Sequence, residues 1–154
     1  MLKRLSVVLL VLVLVMALPA GAAAAIRFKR ILYNPAGSDT GSNSHLNQEW
    51  VLINNTGNRN RDLDGWVLTD RGPDHRYGFT GISLPSGDLL KLHTGSGRHR
   101  VTTGCGGDCS VHHYYWGLDD YVWNNDGDRA TLKKPNASIA DRCLVPGGKK
   151  AVRC

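Results

Sequence analysis

The clearest absence in this sequence is helical periodicity. After residue 25, no window of ten or more residues has apolar side chains recurring near the 3.6-residue period of an amphipathic helix. The same region has no second apolar run of membrane length, no internal repeat of fixed period and no linker. These absences exclude a helical bundle, a multi-span membrane protein and a repeat protein, so a single domain with little helix is expected.

Catalytic signatures are also missing. The six histidines follow neither His-x-x-x-His nor His-Glu-x-x-His spacing, so no motif supports a zinc enzyme. Gly95-Ser96-Gly97 is not the Gly-x-Ser-x-Gly elbow of a serine hydrolase. The cysteines are expected to be oxidised, which removes a thiol nucleophile. We predict a non-catalytic protein that needs no cofactor.

The charge balance is mildly basic. The formal net charge is +6 at pH 7, and it falls to +4 without Lys3 and Arg4. Blocks of arginine interleaved with aromatic residues are absent, so nucleic-acid binding is possible but not favoured. Two groups of cations could still attract phosphates in a salt-dependent way. They are residues 98–100 and a C-terminal set of Lys133, Lys134, Lys149, Lys150 and Arg153.

The N-terminus has the pattern of a secretory signal peptide. Lys3 and Arg4 precede a 14-residue apolar run at residues 5–18, and an alanine-rich segment at residues 20–25 follows. The run is short for a membrane span, so cleavage is favoured over an uncleaved anchor. We predict a signal peptide at 1–25 and a secreted domain at 26–154, without stable membrane insertion after cleavage.

Four cysteines follow the predicted signal peptide, and an even number in an exported chain indicates two disulfides. Three connectivities are possible. Sequential pairing, Cys105–Cys109 and Cys143–Cys154, would close two short loops and contribute on the order of 2 and 3 kcal/mol. It would also attach residues 144–154 as a stapled C-terminal tail. A zinc site is less well supported, because Cys-x-x-x-Cys without a second close pair is poor zinc spacing.

The tryptophans lie in short strand-like phrases bounded by Gly, Asn and Asp, the residues of tight turns. Such phrases at this spacing favour an all-β sandwich or barrel. The expected strands cover residues 26–33, 49–54, 66–70, 77–79, 89–93, 114–116, 122–123, 130–133 and 139–144, with a long loop at 94–110. Because tryptophan is large and apolar, we predict four core anchors, Trp50, Trp66, Trp116 and Trp123.

The order of these phrases resembles the lamin tail domain family, and more narrowly its exported bacterial members. The resemblance extends from about residue 26 to about residue 143 and implies an immunoglobulin-like β-sandwich with a non-catalytic binding or scaffolding role. The sequence departs from true intermediate filament proteins in lacking their coiled-coil rod, so filament formation is not expected. The phrases that carry the resemblance are Tyr33-Asn34-Pro35-Ala36-Gly37, Glu49-Trp50-Val51, Asp62-Leu63-x-Gly65-Trp66-x-Leu68-x-Asp70, Tyr77-x-Phe79, His93-Thr94-Gly95-x-Gly97, Tyr115-Trp116-Gly117 and Trp123-Asn124-Asn125-x-Gly127-Asp128-x-Ala130-x-Leu132.

Calcium binding is an alternative role for the acidic loops. Oxygen ligands could come from Asp39, Asn124, Asp126 and Asp128, whose spacing in part resembles an EF-hand loop. The glycine stands at the fourth position instead of the sixth, however, and Pro135 occupies the position of the twelfth-residue glutamate. We therefore predict no metal site.

The leading functional hypothesis is an exported, non-catalytic module that binds a protein or a component of the cell envelope. Its binding surface is expected in the loops at 38–47 and 94–113. The alternatives are an accessory subunit of a secreted hydrolase, either a nuclease or a phosphoesterase, and an electrostatic nucleic-acid-binding module. The residues identify neither the partner nor the oligomeric state.

Overall fold

The structure is a computed structural model that describes residues 25–154. This part of the chain forms twelve short strands and a single four-residue helix, as the missing helical period predicts. The elements are β1 (Ile26–Leu32), α1 (Asn43–Leu46), β2 (Trp50–Asn55), β3 (Arg61–Asp62), β4 (Val67–Thr69), β5 (Arg76–Gly78), β6 (Ser83–Leu84), β7 (Leu89–His93), β8 (Arg100–Thr103), β9 (Ser110–Tyr115), β10 (Asp128–Lys133), β11 (Ile139–Val145) and β12 (Ala151–Arg153).

Two main sheets face each other. One has six strands in the order β12-β1-β2-β7-β9-β8, and the other has four in the order β11-β10-β4-β5. The strands β3 and β6 form a separate small ladder. All pairs are antiparallel except β7 with β9, which is parallel. The arrangement is the all-β, immunoglobulin-like β-sandwich that the sequence predicts.

The core lies between the sheets, where alternate residues of each strand point inward. In β2, for example, Val51 and Ile53 are buried while Trp50, Leu52 and Asn54 are not. Burying a side chain of this size contributes roughly 1.5–3 kcal/mol. The largest fully buried side chains are Tyr33, Phe79, Ile26, Ile31, Leu46, Ile53, Leu63, Leu68, Leu84, Leu90, Leu92 and Leu132.

The tryptophans do not all anchor this core. Trp123 is 2 % exposed and belongs to it, and Trp66 and Trp116 are half-buried side chains that pack against it. The prediction is wrong for Trp50. Because side chains alternate along β2, the inward positions of Val51 and Ile53 place Trp50 on the outer face of the six-stranded sheet.

The expected strand at residues 122–123 is also absent. The backbone N–H groups of Val122 and Trp123 donate to the carboxylate of Glu49, at 2.9 and 3.3 Å, instead of to a neighbouring strand. The hydroxyl of Thr94 donates to the same carboxylate at 2.6 Å. Glu49 is fully buried, and burial raises its pKa from 4.5 to about 7. One acidic side chain thus replaces a strand partner for an irregular segment.

The expected loop at residues 94–110 contains a strand that the sequence pattern does not reveal. β8 forms the edge of the six-stranded sheet by pairing with β9, from Arg100 opposite His113 to Thr103 opposite Ser110. All four residues of β8 are exposed, so no buried face produces an alternating pattern. Cys105 and Cys109 are joined in the turn between β8 and β9, with Cα atoms 5.7 Å apart.

The C-terminal residues belong to the sandwich and do not form a tail. After β11, the chain crosses to β12, which pairs antiparallel with β1 at the opposite sheet. The Cys143–Cys154 disulfide, with Cα atoms 5.4 Å apart, therefore links the two sheets at one edge of the sandwich. Residues 144–154 are tied in by strand pairing as well as by the disulfide.

The predicted signal peptide lies outside the described residues, apart from Ala25 at its end. In residues 25–154, no helix has the length and apolar character needed to cross a bilayer.

Candidate functional site

The six-stranded sheet has an unusual charge distribution. Its strands carry Arg, Lys and His side chains but no Asp or Glu at any position. Inward positions hold core residues, so the strand cations point to the outer face or stand at the edges. We call part of this outer face the Trp50 face; it consists of the exposed Arg30 and Arg100 and the half-buried Trp50, Leu52 and Lys91.

Trp50, at the start of β2, contacts two cations of the Trp50 face. The Nζ atom of Lys91 lies 4.2 Å from the centroid of the indole ring, and the guanidinium carbon of Arg30 lies 5.8 Å from it. Burial lowers the pKa of Lys91, and the charges of Arg100 and Arg30 lower it further. The ring is thus held by cation–π contacts while part of its surface stays open to solvent.

A groove runs beside Trp50. It has a volume of about 460 Å³ and combines an aromatic ring, two ammonium groups and several amide or carbonyl groups. Such a mixture can bind a ligand that carries negative charge and hydrogen-bonding groups. The lining residues are Leu32, Asn34, Pro35, Ala36, Asn47, Gln48, Trp50, Lys91 and Lys150.

The two loops predicted to form a binding surface lie together at one end of this sheet. The side-chain amides of Asn43 and Asn47 both donate to the carbonyl oxygen of Ser96, at 3.0 and 2.9 Å. In return, the Ser96 N–H donates to the Oδ1 atom of Asn43 at 2.6 Å. Gly97 passes so close to the ring of Tyr115 that no Cβ would fit there. These loops cover the end of the outer face and border the groove through Asn47.

Beneath these loops, a hydrogen-bonded chain joins two histidines to a threonine. His93 donates from Nδ1 to the carbonyl oxygen of Asn47 at 2.7 Å, and its Nε2 faces Nδ1 of His113 at 3.0 Å. The Nε2 atom of His113 lies 3.1 Å from the hydroxyl of Thr102. Both imidazoles are neutral in this pattern, since each has one nitrogen that donates and one that accepts.

This chain has the outline of a nucleophile, a base and an orienting group, but its imidazoles are weak bases. Burial lowers the pKa of His113 to about 4, and the nearby Arg100, His93, Lys91 and His112 add to that shift. Burial also lowers the pKa of His93. An imidazole surrounded by cations accepts a proton poorly, and the group behind it is another imidazole instead of a carboxylate.

The calcium candidates are not gathered into one site. Asn124 and Asp128 line a cleft of about 580 Å³, but Asp39 and Asp126 are not among its lining residues. Asp128 is occupied with backbone groups, because its carboxylate accepts from the N–H groups of Arg71, Asn124 and Arg129. Across residues 25–154, no group of three or more His, Cys, Asp or Glu side chains is arranged to hold a metal ion.

The C-terminal cluster of cations is divided between two surfaces. Lys150 lines the groove beside Trp50, whereas Lys133 and Lys134 line a different groove on the outer face of the four-stranded sheet. These lysines are close in the sequence, so the sequence predicts a single cluster. The arginines that accompany Lys133 come from separate strands, so the sequence pattern does not reveal them.

The sequence pattern of the family described as Lamin Tail Domain matches residues 19–146. The chain belongs to the lamin tail domain family. The match covers most of the chain, and it agrees with the sandwich architecture and with the order of the tryptophan phrases. No curated protein matches the sequence. In this lamin tail domain, aromatic, cationic and amide groups converge at the Trp50 face and its groove.

Proposed function

We propose that this lamin tail domain is an exported, non-catalytic module that binds an anionic protein or cell-envelope component through the Trp50 face. The observation that carries the proposal is a six-stranded sheet whose strands hold no acidic residue, with Trp50 in contact with both Lys91 and Arg30 on its outer face. A partly open tryptophan flanked by cations combines the two features that dominate binding energy at interfaces: an aromatic anchor and complementary charge.

Export is supported by two independent features of the chain. The N-terminal residues have the pattern of a signal peptide at 1–25, which would release a domain at 26–154. The domain holds two disulfides, and disulfides persist in oxidising compartments. These features support secretion and a role outside the cell or at its surface.

A non-catalytic role is supported by the electrostatics of the histidines. Among the described residues, two of the four hydrogen-bonded histidine arrangements hold a hydroxyl but lack a carboxylate: His93 and His113 with Thr102, and His45 with Tyr121. His75 and His112 each contact an aspartate, but the described hydrogen bonds place no hydroxyl or thiol on either ring. The test below includes results that would favour a hydrolase accessory role or a nucleic-acid-binding role instead.

The test is co-sedimentation of residues 25–154 with isolated bacterial cell envelopes. This segment contains every described strand, both disulfides and the core. Trp50→Ala and Lys91→Gln are each expected to weaken binding at least tenfold, whereas Arg59→Gln, at an exposed residue outside this surface, should leave it unchanged. Circular dichroism checks that each variant keeps its β-structure.

Two results would overturn the proposal. One is envelope binding that Trp50→Ala and Lys91→Gln leave intact. The other is metal-dependent turnover of a phosphodiester or phosphomonoester substrate by the wild-type domain, which would favour the secreted hydrolase. Binding to DNA that falls steeply with salt, together with no binding to envelopes, would favour the nucleic-acid module instead.

A further inference from the structure

A second surface, on the outer face of the four-stranded sheet, carries a dense group of cations. A groove of about 560 Å³ there is lined by six Lys and Arg side chains and by one acidic side chain, Asp70. The Oδ2 atom of Asp70 already accepts a hydrogen bond from His75 at 2.9 Å. We call this surface the cationic groove; its cations are Arg71, Arg76, Arg129, Lys133, Lys134 and Arg142.

Strand register explains how these cations surround one point. Thr131 of β10 lies opposite Arg142 of β11 on one side and opposite Thr69 of β4 on the other, and Thr69 lies opposite Arg76 of β5. Neighbouring strands are about 4.8 Å apart, and residues two apart along a strand are separated by about 6.5 Å. The small threonines therefore form a floor, and the longer cations stand around it.

The charges of the cationic groove are not neutralised within the described part of the chain. No carboxylate oxygen there lies within 4.0 Å of the six side-chain cations. The nearest acidic residues along the strands are engaged elsewhere: Asp128 accepts from backbone N–H groups, and Asp141 accepts from the Phe28 N–H at 2.8 Å and pairs with Arg27. Crowded like charges destabilise a fold, and an anionic partner would relieve this repulsion.

The same face exposes aliphatic side chains. Leu144 is 63 % exposed and Ile139 is 46 % exposed, and both lie on the edge strand β11. Leu144 and Arg142 point to the same side because they are two residues apart, while Cys143 and Val145 are buried. No aromatic residue lines the groove, so bases and sugar rings have no platform on which to stack.

We propose that the outer face of the four-stranded sheet docks on an anionic phospholipid surface. Lipid phosphates occupy the cationic groove, and Leu144 and Ile139 enter the boundary between headgroups and acyl chains. Cations together with exposed aliphatic side chains are the combination that holds peripheral proteins at such surfaces. This face is on the opposite sheet from the Trp50 face, and vesicles of phospholipid alone test it separately. Envelope binding through the Trp50 face is then measured with Trp50→Ala and Lys91→Gln made in Arg129→Gln/Arg142→Gln, which lacks two cations of the groove.

The test is co-sedimentation of residues 25–154 with vesicles of phosphatidylglycerol and phosphatidylcholine, and with vesicles of phosphatidylcholine alone. We expect binding only to the anionic vesicles, and weaker binding at higher salt. The double variant Arg129→Gln/Arg142→Gln should bind about 30-fold more weakly, at about 1 kcal/mol for each cation near the surface. Arg59→Gln/Arg61→Gln removes the same charge outside the groove and should change binding little.

A second matched pair tests the aliphatic contacts. Leu144→Ser should weaken vesicle binding about tenfold, whereas Val101→Ser, which changes a side chain of 49 % exposure on the other sheet, should not. Equal losses from the two arginine pairs would contradict docking by this face. The proposal would also be contradicted if Leu144→Ser bound vesicles as tightly as the wild type does and the wild type bound soluble polyphosphate or DNA tightly. That result would indicate a general polyanion site. Trp50→Ala should leave vesicle binding unchanged.

Discussion

At the scale of single residues, Glu49 is the most consequential polar group in the described chain. Its carboxylate satisfies Val122, Trp123 and Thr94, and its own position is fully buried without a cation beside it. Burial therefore raises its pKa to about 7. This one side chain satisfies the backbone N–H groups of residues 122–123, whose side chains are in the core, so the stability of the fold should depend on its protonation.

The first prediction concerns that pH dependence. Between pH 4.5 and about 7, Glu49 keeps its proton in the folded protein but loses it in the unfolded chain. The part of the free energy of unfolding that depends on this proton is therefore fully present below pH 4.5 and is lost as the pH rises through about 7. The full effect is on the order of 3 kcal/mol. Glu49→Gln does not titrate. The difference between the two proteins therefore isolates Glu49. We expect the wild-type free energy of unfolding to fall by this amount, relative to that of Glu49→Gln, between pH 4 and pH 8.

Urea denaturation of both proteins across this pH range measures the difference. Comparing them at each pH cancels the buried histidines, whose lowered pKa values act in the opposite direction. A difference that stays constant with pH would contradict the assignment of Glu49 as a proton-binding group.

Two adjacent glycines in the turn after β11 should differ in how much an alanine substitution destabilises the fold. Both have positive φ angles, +77° at Gly147 and +66° at Gly148. A Cβ at Gly147 would lie 2.6 Å from the carbonyl carbon of Asp126, whereas a Cβ at Gly148 would meet nothing within 4 Å. Gly147→Ala should cost about 3 kcal/mol, from backbone strain and a clash with rigid main chain, and Gly148→Ala only about 1 kcal/mol. Thermal unfolding of the two variants checks this, and equal costs would contradict it.

At the scale of elements, β12 and its disulfide determine how the two sheets are joined. The Cys143–Cys154 bond links β11 of one sheet to the end of β12 in the other. β12 has three residues and pairs only with β1, so it has few hydrogen bonds of its own.

We therefore expect Cys143→Ser/Cys154→Ser to lower the free energy of unfolding by about 3 kcal/mol and to raise amide exchange in β12 and its partner β1. Cys105→Ser/Cys109→Ser, which opens a shorter loop at the exposed β8–β9 turn, should cost about 2 kcal/mol or less and leave β1 protected. Hydrogen exchange read by NMR distinguishes the two. Similar exchange in both variants would show that the link between sheets is not important for β12.

Elements with a buried face are the ones that the sequence predicts well. The alternation of Val51 and Ile53 in β2, and the apolar run of β7, indicate strands in nearly the positions that the structure has. β3 and β6 have two residues each, which is too short for a period, and β8 has no buried face. The absence of a strand at 122–123 depends on Glu49, a contact 73 residues away in sequence. No local pattern encodes it.

At the scale of the whole molecule, the two proposed binding surfaces lie back to back across one core. The Trp50 face could be anticipated only in part, because the sequence shows the tryptophan but places it in the core. The cationic groove could not be anticipated, because its arginines come from β5, β10, β11 and a loop. Their proximity arises from strand order, which is set by pairing between distant segments.

The central claim is that the Trp50 face binds the partner. Hydroxyl-radical footprinting of residues 25–154 carrying Arg129→Gln/Arg142→Gln, which weakens the cationic groove, tests it most directly with isolated cell envelopes. Oxidation of Trp50 should decrease when envelopes are present, because a bound partner covers the open part of the ring. Oxidation of Trp66 and Tyr77, half-buried side chains outside this face, should stay the same. Unchanged oxidation of Trp50 under conditions in which the domain sediments with the envelopes would contradict the claim.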